Sequence, residues 1–356
     1  MEMGKIIVVV VISMVLVLRL TQSLEFNKKR FEFNEKDLET DYSVQDLYER
    51  WSSYHNIFRD HSVKQMHINV FKEKAKFIYE FNKKDAPSKL ELNRFADMTK
   101  HEIMTTYTGY HAMNSHNRIQ LQGTIDSSKY NENIEIPTSV DWRTSGAITP
   151  VKDQGHCGSC WAFATAAAVE SIHYIATGEL LNLSPQQLVS CDDSNYGCDG
   201  GWSSDAYQYI RVNGGLTTWQ NYPYTGTDSI CDKSKESLPP LVTIGNYHSV
   251  PQNEYSMMQV VATQPISVNI DASGVKFHHY KQGIYIGDDC ATELNHAVTI
   301  VGYGSEGGID YWIVKNSWGE GWGENGYIRI KRGVGACAID LSATYPVKSS
   351  DISSSM

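Results

Sequence analysis

Gln154-Gly-His-Cys157-Gly-Ser-Cys160-Trp161-Ala-Phe163 is a turn-forming run that feeds directly into a helix. After Cys160 the apolar positions Trp161, Ala164, Ala168, Ile172 and Ile175 recur at steps of three and four. That is a helical period, and Gly178 stands where a C-terminal cap belongs. The many alanines make the helix narrow enough to be buried on several sides. Cys160 therefore opens a helix, where unpaired N–H groups and the macrodipole favour the nucleophilic thiolate over the thiol.

Other readings of the same run compete. Cys157-Gly-Ser-Cys160 is a C-x-x-C, which near a βαβ pattern in a cytosolic chain suggests thiol–disulfide exchange. It could form half of a zinc site, but no second C-x-x-C or H-x3-H follows. Two purely structural cysteines are the default for an arbitrary secreted protein.

The rest of the chain narrows the choice. Its 356 residues allow two or three domains, and 41% hydrophobic content supports real cores. A formal charge of −10 argues against nucleic acid as the main partner. Residues 1–23 carry Lys5, the apolar run Ile6 to Leu18, then Arg19 and the small residues Thr21 and Ser23. The run is shorter than the ~20 residues a bilayer span needs, so it reads as a cleaved secretory signal, and no membrane association is expected. In an oxidising lumen seven cysteines leave one unpaired: Cys157, Cys160, Cys191, Cys198, Cys231, Cys290 and Cys337. Six of them allow fifteen pairings, which arithmetic alone cannot resolve, and the helix-opening Cys160 is the best candidate for the free thiol.

Residues 24–135 contain no cysteine and are rich in charge, with two amphipathic helices around Asp46–Trp51 and Ile68–Phe81. The stretch from His111 to Glu135 is polar and reads as an exposed linker open to proteolysis. From Ile136 the character changes. Ser184-Pro185-Gln186-Gln187 is a capping box with proline at the first helical position, opening a helix to about Cys191. A further helix is expected from Trp202 to Val212, ending at Asn213-Gly214-Gly215. Beyond about residue 245 strands dominate: Pro265–Ile270, Ala297–Val301, Tyr311–Val314 and Tyr327–Ile330 alternate. A helical half and a β-rich half leave a cleft between them, a common place for a site.

A cysteine nucleophile needs a base, a group that orients the base, and donors for an oxyanion. His156 is near in sequence but is expected to point out of its turn. His278-His279 reads as a solvated surface pair, His173 is mid-helix, and His248 belongs to a loop. His296 opens the apolar strand His296-Ala-Val-Thr-Ile-Val. It is either a satisfied core residue, the modestly favoured reading, or a base held at a cleft edge. Asn316-Ser-Trp318-Gly-Glu-Gly-Trp322-Gly is either a glycine-rich loop or the source of an amide that fixes a histidine tautomer under an indole.

Together, Gln154…Cys160-Trp-Ala-Phe, Asn295-His296-Ala-Val…Gly302-Tyr-Gly and Asn316-Ser-Trp318-Gly…Trp322-Gly resemble, in order and spacing, the papain family of cysteine proteases. The likeness runs from about residue 44 to Tyr345-Pro346, and within the family it is similar to plant members of the bromelain and KDEL-tailed type. The chain ends Ser-Ser-Ser-Met, so KDEL-type retention is not supported.

The resemblance implies an α+β, papain-like two-lobed fold. A helical lobe (about 145–245) and an antiparallel β-barrel-like lobe (about 246–345) would form a catalytic domain over 136–348. A signal peptide (1–23) and a helical inhibitory propeptide (24–135) would precede it, and a disordered tail (349–356) would follow. It implies an endopeptidase made as a zymogen, with Cys160 as nucleophile, His296 as general base and acid, Asn316 orienting His296, and Trp318 shielding that bond. The Gln154 side chain and the Cys160 N–H would form the oxyanion hole. It also implies the pairs Cys157–Cys198, Cys191–Cys231 and Cys290–Cys337, which leaves Cys160 free. Gly200-Gly201 would pair with an extended substrate, and Trp202, Ser203, Asn269, Leu294 and Ser342 would line the pocket for the side chain two residues before the cut. Asn269 stands where aliphatic residues are usual, and leucine or phenylalanine is the first expected guest. No cofactor or metal is implied.

Expected partners are protein and peptide substrates, the chain's own propeptide and cystatin-type inhibitors, acting on a monomer in the secretory pathway, extracellular or vacuolar/lysosomal. Phe71, Ile78 and Asn82 match the propeptide's helical signature, while Val63, His67 and Lys74 replace its Glu, Arg and Asn. Asn93, Phe95 and Asp97 match its second motif, and Glu91 replaces a glycine. The missing Glu–Arg pair predicts a loosely held propeptide, with protonation of groups such as Asp97 as the acid trigger. Asn182-Leu-Ser184 is a formal glycosylation sequon, but Ser184 doubles as a helix cap and Pro185 follows, which argues against a glycan.

Overall fold

The helix expected after the cysteine run is the axis of one half of the molecule. In the computed structural model, which describes residues 30–109, 124–126, 130 and 135–348, it spans Cys160–Thr177 and ends on Gly178 in the left-handed conformation (φ 78°). Every residue from Cys160 to Ile172 is buried, as its alanine content allows. The apolar N-terminal run, most of the linker and the tail lie outside the described residues.

The described residues 30–57 belong to a unit of their own. Within it, Asp41–His55 (α1) opens on a reciprocal Thr40/Ser43 capping box and buries Val44, Leu47, Tyr48 and Trp51 along one face. The second unit begins at Phe58. Its helices are His61–Asn82 (α2), Lys100–Tyr107 (α3), Cys160–Thr177 (α4), Pro185–Cys191 (α5), Ser203–Asn213 (α6), Lys233–Glu236 (α7), Glu254–Val261 (α8) and Val275–His278 (α9). Its strands are Ser88–Leu90 (β1), Val140–Asp141 (β2), Asn246–Ser249 (β3), Ile266–Ile270 (β4), Tyr280–Tyr285 (β5), His296–Glu306 (β6), Ile309–Lys315 (β7), Tyr327–Lys331 (β8) and Ala343–Val347 (β9). Thus α6 and the four expected strands form close to where the pattern placed them.

Among the described residues the strands make one sheet in the order β1-β5-β8-β7-β6-β4-β9-β3, with β2 on β6. All pairs are antiparallel except β5–β8, which run parallel. The lobe is thus antiparallel but for that one pair. Strand β1 comes from the N-terminal region and extends the β5 edge, Ser88 opposite Gly283, so it covers a row of backbone groups that would otherwise stay open. His248 lies in β3, not in a loop.

Two apolar cores result. One lies in the β-rich half, around Val268, Ile300, Trp312, Val314 and Ile328; the other surrounds α4 with Leu188, Tyr207, Ile210 and Leu216. The seam between halves is polar and carries a chain of hydrogen bonds. Ser267 Oγ donates to the Ala164 carbonyl at 3.0 Å and meets the Tyr207 hydroxyl at 2.7 Å. Buried Lys315, next in sequence to Asn316, donates to the Thr149 carbonyl at 2.8 Å. Thr149 in turn donates to Glu170 of α4 at 2.6 Å. This chain of bonds ties the end of β7 to the helix that begins at Cys160.

The disulfides are Cys157–Cys198, Cys191–Cys231 and Cys290–Cys337, and Cys160 is free. They close loops of 41, 40 and 47 residues. In the chain-entropy account each removes about 4 kcal/mol from the unfolded state. With Cys157 committed to Cys198, the disulfide-exchange and zinc readings of C-x-x-C fall away. At α5 only half of the expected capping box forms: Ser184 Oγ accepts from Gln187 N–H, while the Gln187 side chain accepts from Thr217 N–H instead.

Candidate active site

Cys160 and His296 sit at the starts of facing elements, one opening α4 and the other β6. The next residue on β6, Ala297, places its N–H 3.4 Å from Cys160 Sγ. His296 is wholly buried, and its Nε2 lies 2.8 Å from Asn316 Oδ1. That oxygen also accepts the Ser317 N–H at 2.8 Å, so it is an acceptor and His296 Nε2 carries the proton. His296 Nδ1 then holds a lone pair, and it has no hydrogen-bond partner among the described residues. The Trp318 indole covers the imidazole, with ring centroids 4.8 Å apart. Core residue and candidate base turn out to be the same thing: the ring is buried so that it can be held.

Gln154 is also buried. Ser317 Oγ donates to its Oε1 at 2.6 Å, which turns the amide N–H groups toward the cleft. Ser317 was not singled out from the sequence, although it lies inside the Asn-Ser-Trp run. The Gln154 amide donates to the Cys157 carbonyl at 2.8 Å and to the Tyr107 carbonyl at 3.1 Å. Trp318 Nε1–H donates to the same Tyr107 oxygen at 3.0 Å.

Tyr107 belongs to the N-terminal region, which runs through the cleft. Gly109 N–H donates to the Asn295 carbonyl at 3.0 Å. Gly109 lies so close to the nucleophile that an added Cβ would stand 3.6 Å from Cys160 Sγ and 3.4 Å from Gly200 Cα. The backbone at Gly109 thus lies against Gly200. Gly201 has no room for a side chain, because a Cβ would press on Asn195. Trp202 N–H donates to Asn195 Oδ1 at 2.6 Å.

Asn269 lies opposite Ala297 in the β4–β6 register, and its Nδ2 donates to Ser342 Oγ at 2.9 Å. Both side chains share a wall of the cleft with β6. Ser203 opens α6, which the Tyr207–Ser267 bond holds to β4. Leu294 is half-buried just before Asn295. Asn182 is exposed, whereas Ser184 is buried and donates to the Tyr222 carbonyl at 2.6 Å.

Burial pushes the Cys160 thiol up to about 11; the N–H groups of Ala297, Gly109, Trp161 and Cys160 itself pull the other way and lose. Burial pushes His296 down to about 4, against the Asn316 hydrogen bond. Both directions leave the proton on sulfur. The thiolate expected at the helix N-terminus does not form while the cleft is filled, because desolvation outweighs the helix end.

The N-terminal region is braced by Arg59 and Arg94 together with His67 and Lys74, two of the residues the sequence marked as departures. Arg59 makes a two-pronged ion pair with fully buried Asp97, Nε–Oδ2 2.8 Å and Nη2–Oδ1 2.7 Å. His67 Nδ1 lies 2.7 Å from the Asp97 carbonyl. Lys74 Nζ donates to the Phe95 carbonyl at 2.8 Å and to that of Met98. Arg94 pairs with Asp153, beside Gln154. In place of an ion pair at 63 and 67, Arg59 pairs with Asp97 inside the N-terminal region. His278 and His279 are not a solvated pair: both are buried, because residues 91–95 lie on them.

Comparison with known proteins identifies the relatives of this chain. Residues 136–347 match the family described as papain family cysteine protease, and residues 48–103 match the cathepsin propeptide inhibitor domain. Vignain of Ricinus communis is 47% identical over 352 residues, covering 96% of this chain and 95% of that protein. A KDEL-tailed cysteine endopeptidase of Arabidopsis thaliana is 46% identical, covering 89% and 90%. Among solved structures, the proform of the ragweed pollen allergen Amb a 11, a cysteine protease, superposes with a TM-score of 0.83. It is 41% identical and covers 90% of this chain and 98% of that one. The recombinant stem bromelain precursor gives 0.76 at 39% identity, covering 86% and 99%.

Proposed function

Because this chain belongs to the papain family of cysteine proteases, and is a cysteine endopeptidase made with an inhibitory propeptide, we propose that Cys160 is its nucleophile and His296 its general base and acid. Residues 107–109 hold the pair silent until they leave the cleft. The observation that carries this reading is Gly109 lying on Cys160 Sγ while the Gln154 and Trp318 donors are both spent on the Tyr107 carbonyl.

When the propeptide leaves, water and substrate replace a sealed apolar cover. The burial that raised the thiol and lowered the imidazole falls away, and the proton moves from Cys160 Sγ to His296 Nδ1, where opposite charges on neighbouring groups support each other. The thiolate attacks the peptide carbonyl carbon and forms a tetrahedral oxyanion. The Gln154 amide, released from the Tyr107 carbonyl, and the Cys160 N–H stabilise that oxyanion. The imidazolium gives its proton to the leaving amine, a thioester remains on Cys160, and water activated by neutral His296 hydrolyses it. Asn316 keeps the ring in one tautomer and orientation throughout.

Gly200 and Gly201 pair with the substrate backbone, and Trp202, Ser203, Asn269, Leu294 and Ser342 line the pocket for an apolar side chain such as leucine or phenylalanine. Protein and peptide substrates and cystatin-type inhibitors would enter the same cleft. The signal-like start and the likeness to vignain support a reading in which the enzyme travels the secretory pathway to an extracellular or vacuolar/lysosomal site and acts as a monomer after cleavage near Ile136. Asn182 carries no glycan in this reading, since Ser184 is committed to its helix and to Tyr222.

The test is hydrolysis of a fluorogenic Phe-Arg dipeptide amide by purified proprotein, before and after acidification with a mild reductant, with Cys160→Ala alongside. Activity should appear only as the N-terminal region is lost and never in the alanine variant. Persistent activity of Cys160→Ala overturns the assignment. A peptide library without preference for apolar residues two positions before the cut overturns the pocket reading.

A further inference from the structure

Two neighbouring histidines that the reaction does not use are sealed beneath the propeptide. His278 ends α9 and His279 precedes β5; they are 1% and 0% exposed. From the catalytic domain, Trp322 Nε1–H donates to the His278 carbonyl at 3.0 Å. From the propeptide, Asn93 Nδ2 donates to the same oxygen at 2.8 Å, and Glu91 N–H donates to the His279 carbonyl at 2.8 Å. His279 Nδ1 lies 3.2 Å from the Glu91 carbonyl. Neither Nε2 has a hydrogen-bond partner among the described residues. A second proton on either ring would therefore sit in a dry seam with nothing to accept its hydrogen bond.

The charges around the pair make that worse. Lys74 and Lys100 of the propeptide and His296 of β6 act on His278, while Lys74 and His278 act on His279. Glu91 reaches His279 through its backbone. Lys74 is the residue that replaces an asparagine in the propeptide signature. It is half-buried and held by two carbonyls; burial pulls its ammonium down to about 8 against Asp97 and Glu102, so it stays charged at acidic pH. The propeptide thus lays a cation against two neutral imidazoles. Burial, then Lys74, pushes His278 down to about 3 and His279 well below its ordinary range.

Building on the zymogen reading, we propose that the His278–His279 pair is the proton-driven release switch of this protein: both rings must stay neutral while the propeptide covers them, and both are free to charge once it has gone. The sign follows from linkage. A histidine whose value is lowered in the covered state supports that state fully above its uncovered value near 6.5. That support is lost as the pH falls below 6.5. Each ring weakens the hold by up to about tenfold per pH unit in that window, and the two together by up to about a hundredfold. The trigger then lies in the catalytic domain rather than only in propeptide carboxylates such as Asp97.

Full-length proprotein carrying H278Q and H279Q, and a separate H279Q variant, test this. Each is moved to values between about pH 4 and about pH 7 with a mild reductant, spanning the ordinary histidine range. The rate at which activity appears is divided by the activity of the same protein, fully matured, at that pH. The readout is the slope of log rate against pH, which a simple loss of fit would not change. The double variant should flatten the slope between about pH 6.5 and about pH 4.5, and H279Q should remove about one tenfold step per unit. A double-variant slope that superimposes on wild type overturns the proposal, and if the double variant does not fold, an unchanged H279Q slope does the same. Full activity before acidification, visible at pH 7, would overturn the zymogen reading and the switch with it.

Discussion

Asn316 Oδ1 accepts from both His296 Nε2–H and Ser317 N–H, so the imidazole can neither flip nor change tautomer without losing a buried bond. Truncating Asn316 to alanine leaves a buried N–H without an acceptor, a loss worth about 1–3 kcal/mol, or roughly 5- to 150-fold. The matured Asn316→Ala enzyme should lose that in kcat with little change in KM. Gln154→Ala should cost about a hundredfold through the oxyanion. Steady-state kinetics on matured enzyme check both, and a loss below about threefold for Asn316→Ala would remove its orienting role. At this scale much was legible in the sequence. The odd cysteine count and the helix start singled out Cys160, and the strand start marked His296. His278 and His279 were misread because their cover comes from residues about 185 positions earlier in the chain, which no local pattern reports.

The long elements were legible because each carries its own punctuation. Helix α4 has an all-round apolar period and a glycine cap, and α6 ends on Gly214 in the left-handed conformation. Shorter ones escaped, although their caps were present: Thr99/Glu102 opens α3, and Asn253 opens α8. Strands β1 and β2 exist only because β5 and β6 accept them, so their signal lies in the partner. The packing of α2 gives a prediction of its own. Arg59, just before this helix, ion-pairs with Asp97, which is 0% exposed. Arg59→Met would strand that carboxylate, at a cost of at most about 3–5 kcal/mol. Nearby Lys74 and His67 reduce it. Hydrogen exchange in α2 should speed up and maturation should begin at higher pH, with Arg59→Lys intermediate. Unchanged exchange in Arg59→Met would show that the pair holds nothing.

The whole molecule behaves as an enzyme whose substrate cleft is already filled by its own chain. Residues 107–109 occupy the cleft, β1 extends the sheet edge, and residues 91–95 seal the histidine pair. Each contact covers a group that the proposed reaction or the proposed release step would use: the thiol, the Gln154 amide, or the paired imidazoles. The two-lobed plan and the zymogen organisation were both readable from motif order. How silence is enforced was not, because it rests on burial. With the propeptide in place the thiol is pushed up to about 11 and His296 down to about 4, so the pair is neutral across the physiological range. Alkylation by iodoacetamide, with the modified residue located by mass spectrometry and the rate followed against pH, reads this directly. The account predicts slow modification of the intact proprotein near neutral pH. After propeptide loss it predicts rapid modification of Cys160 alone, persisting well below the ordinary thiol range because His296 holds the proton. Equal rates before and after propeptide loss, or an adduct on another residue, would contradict it.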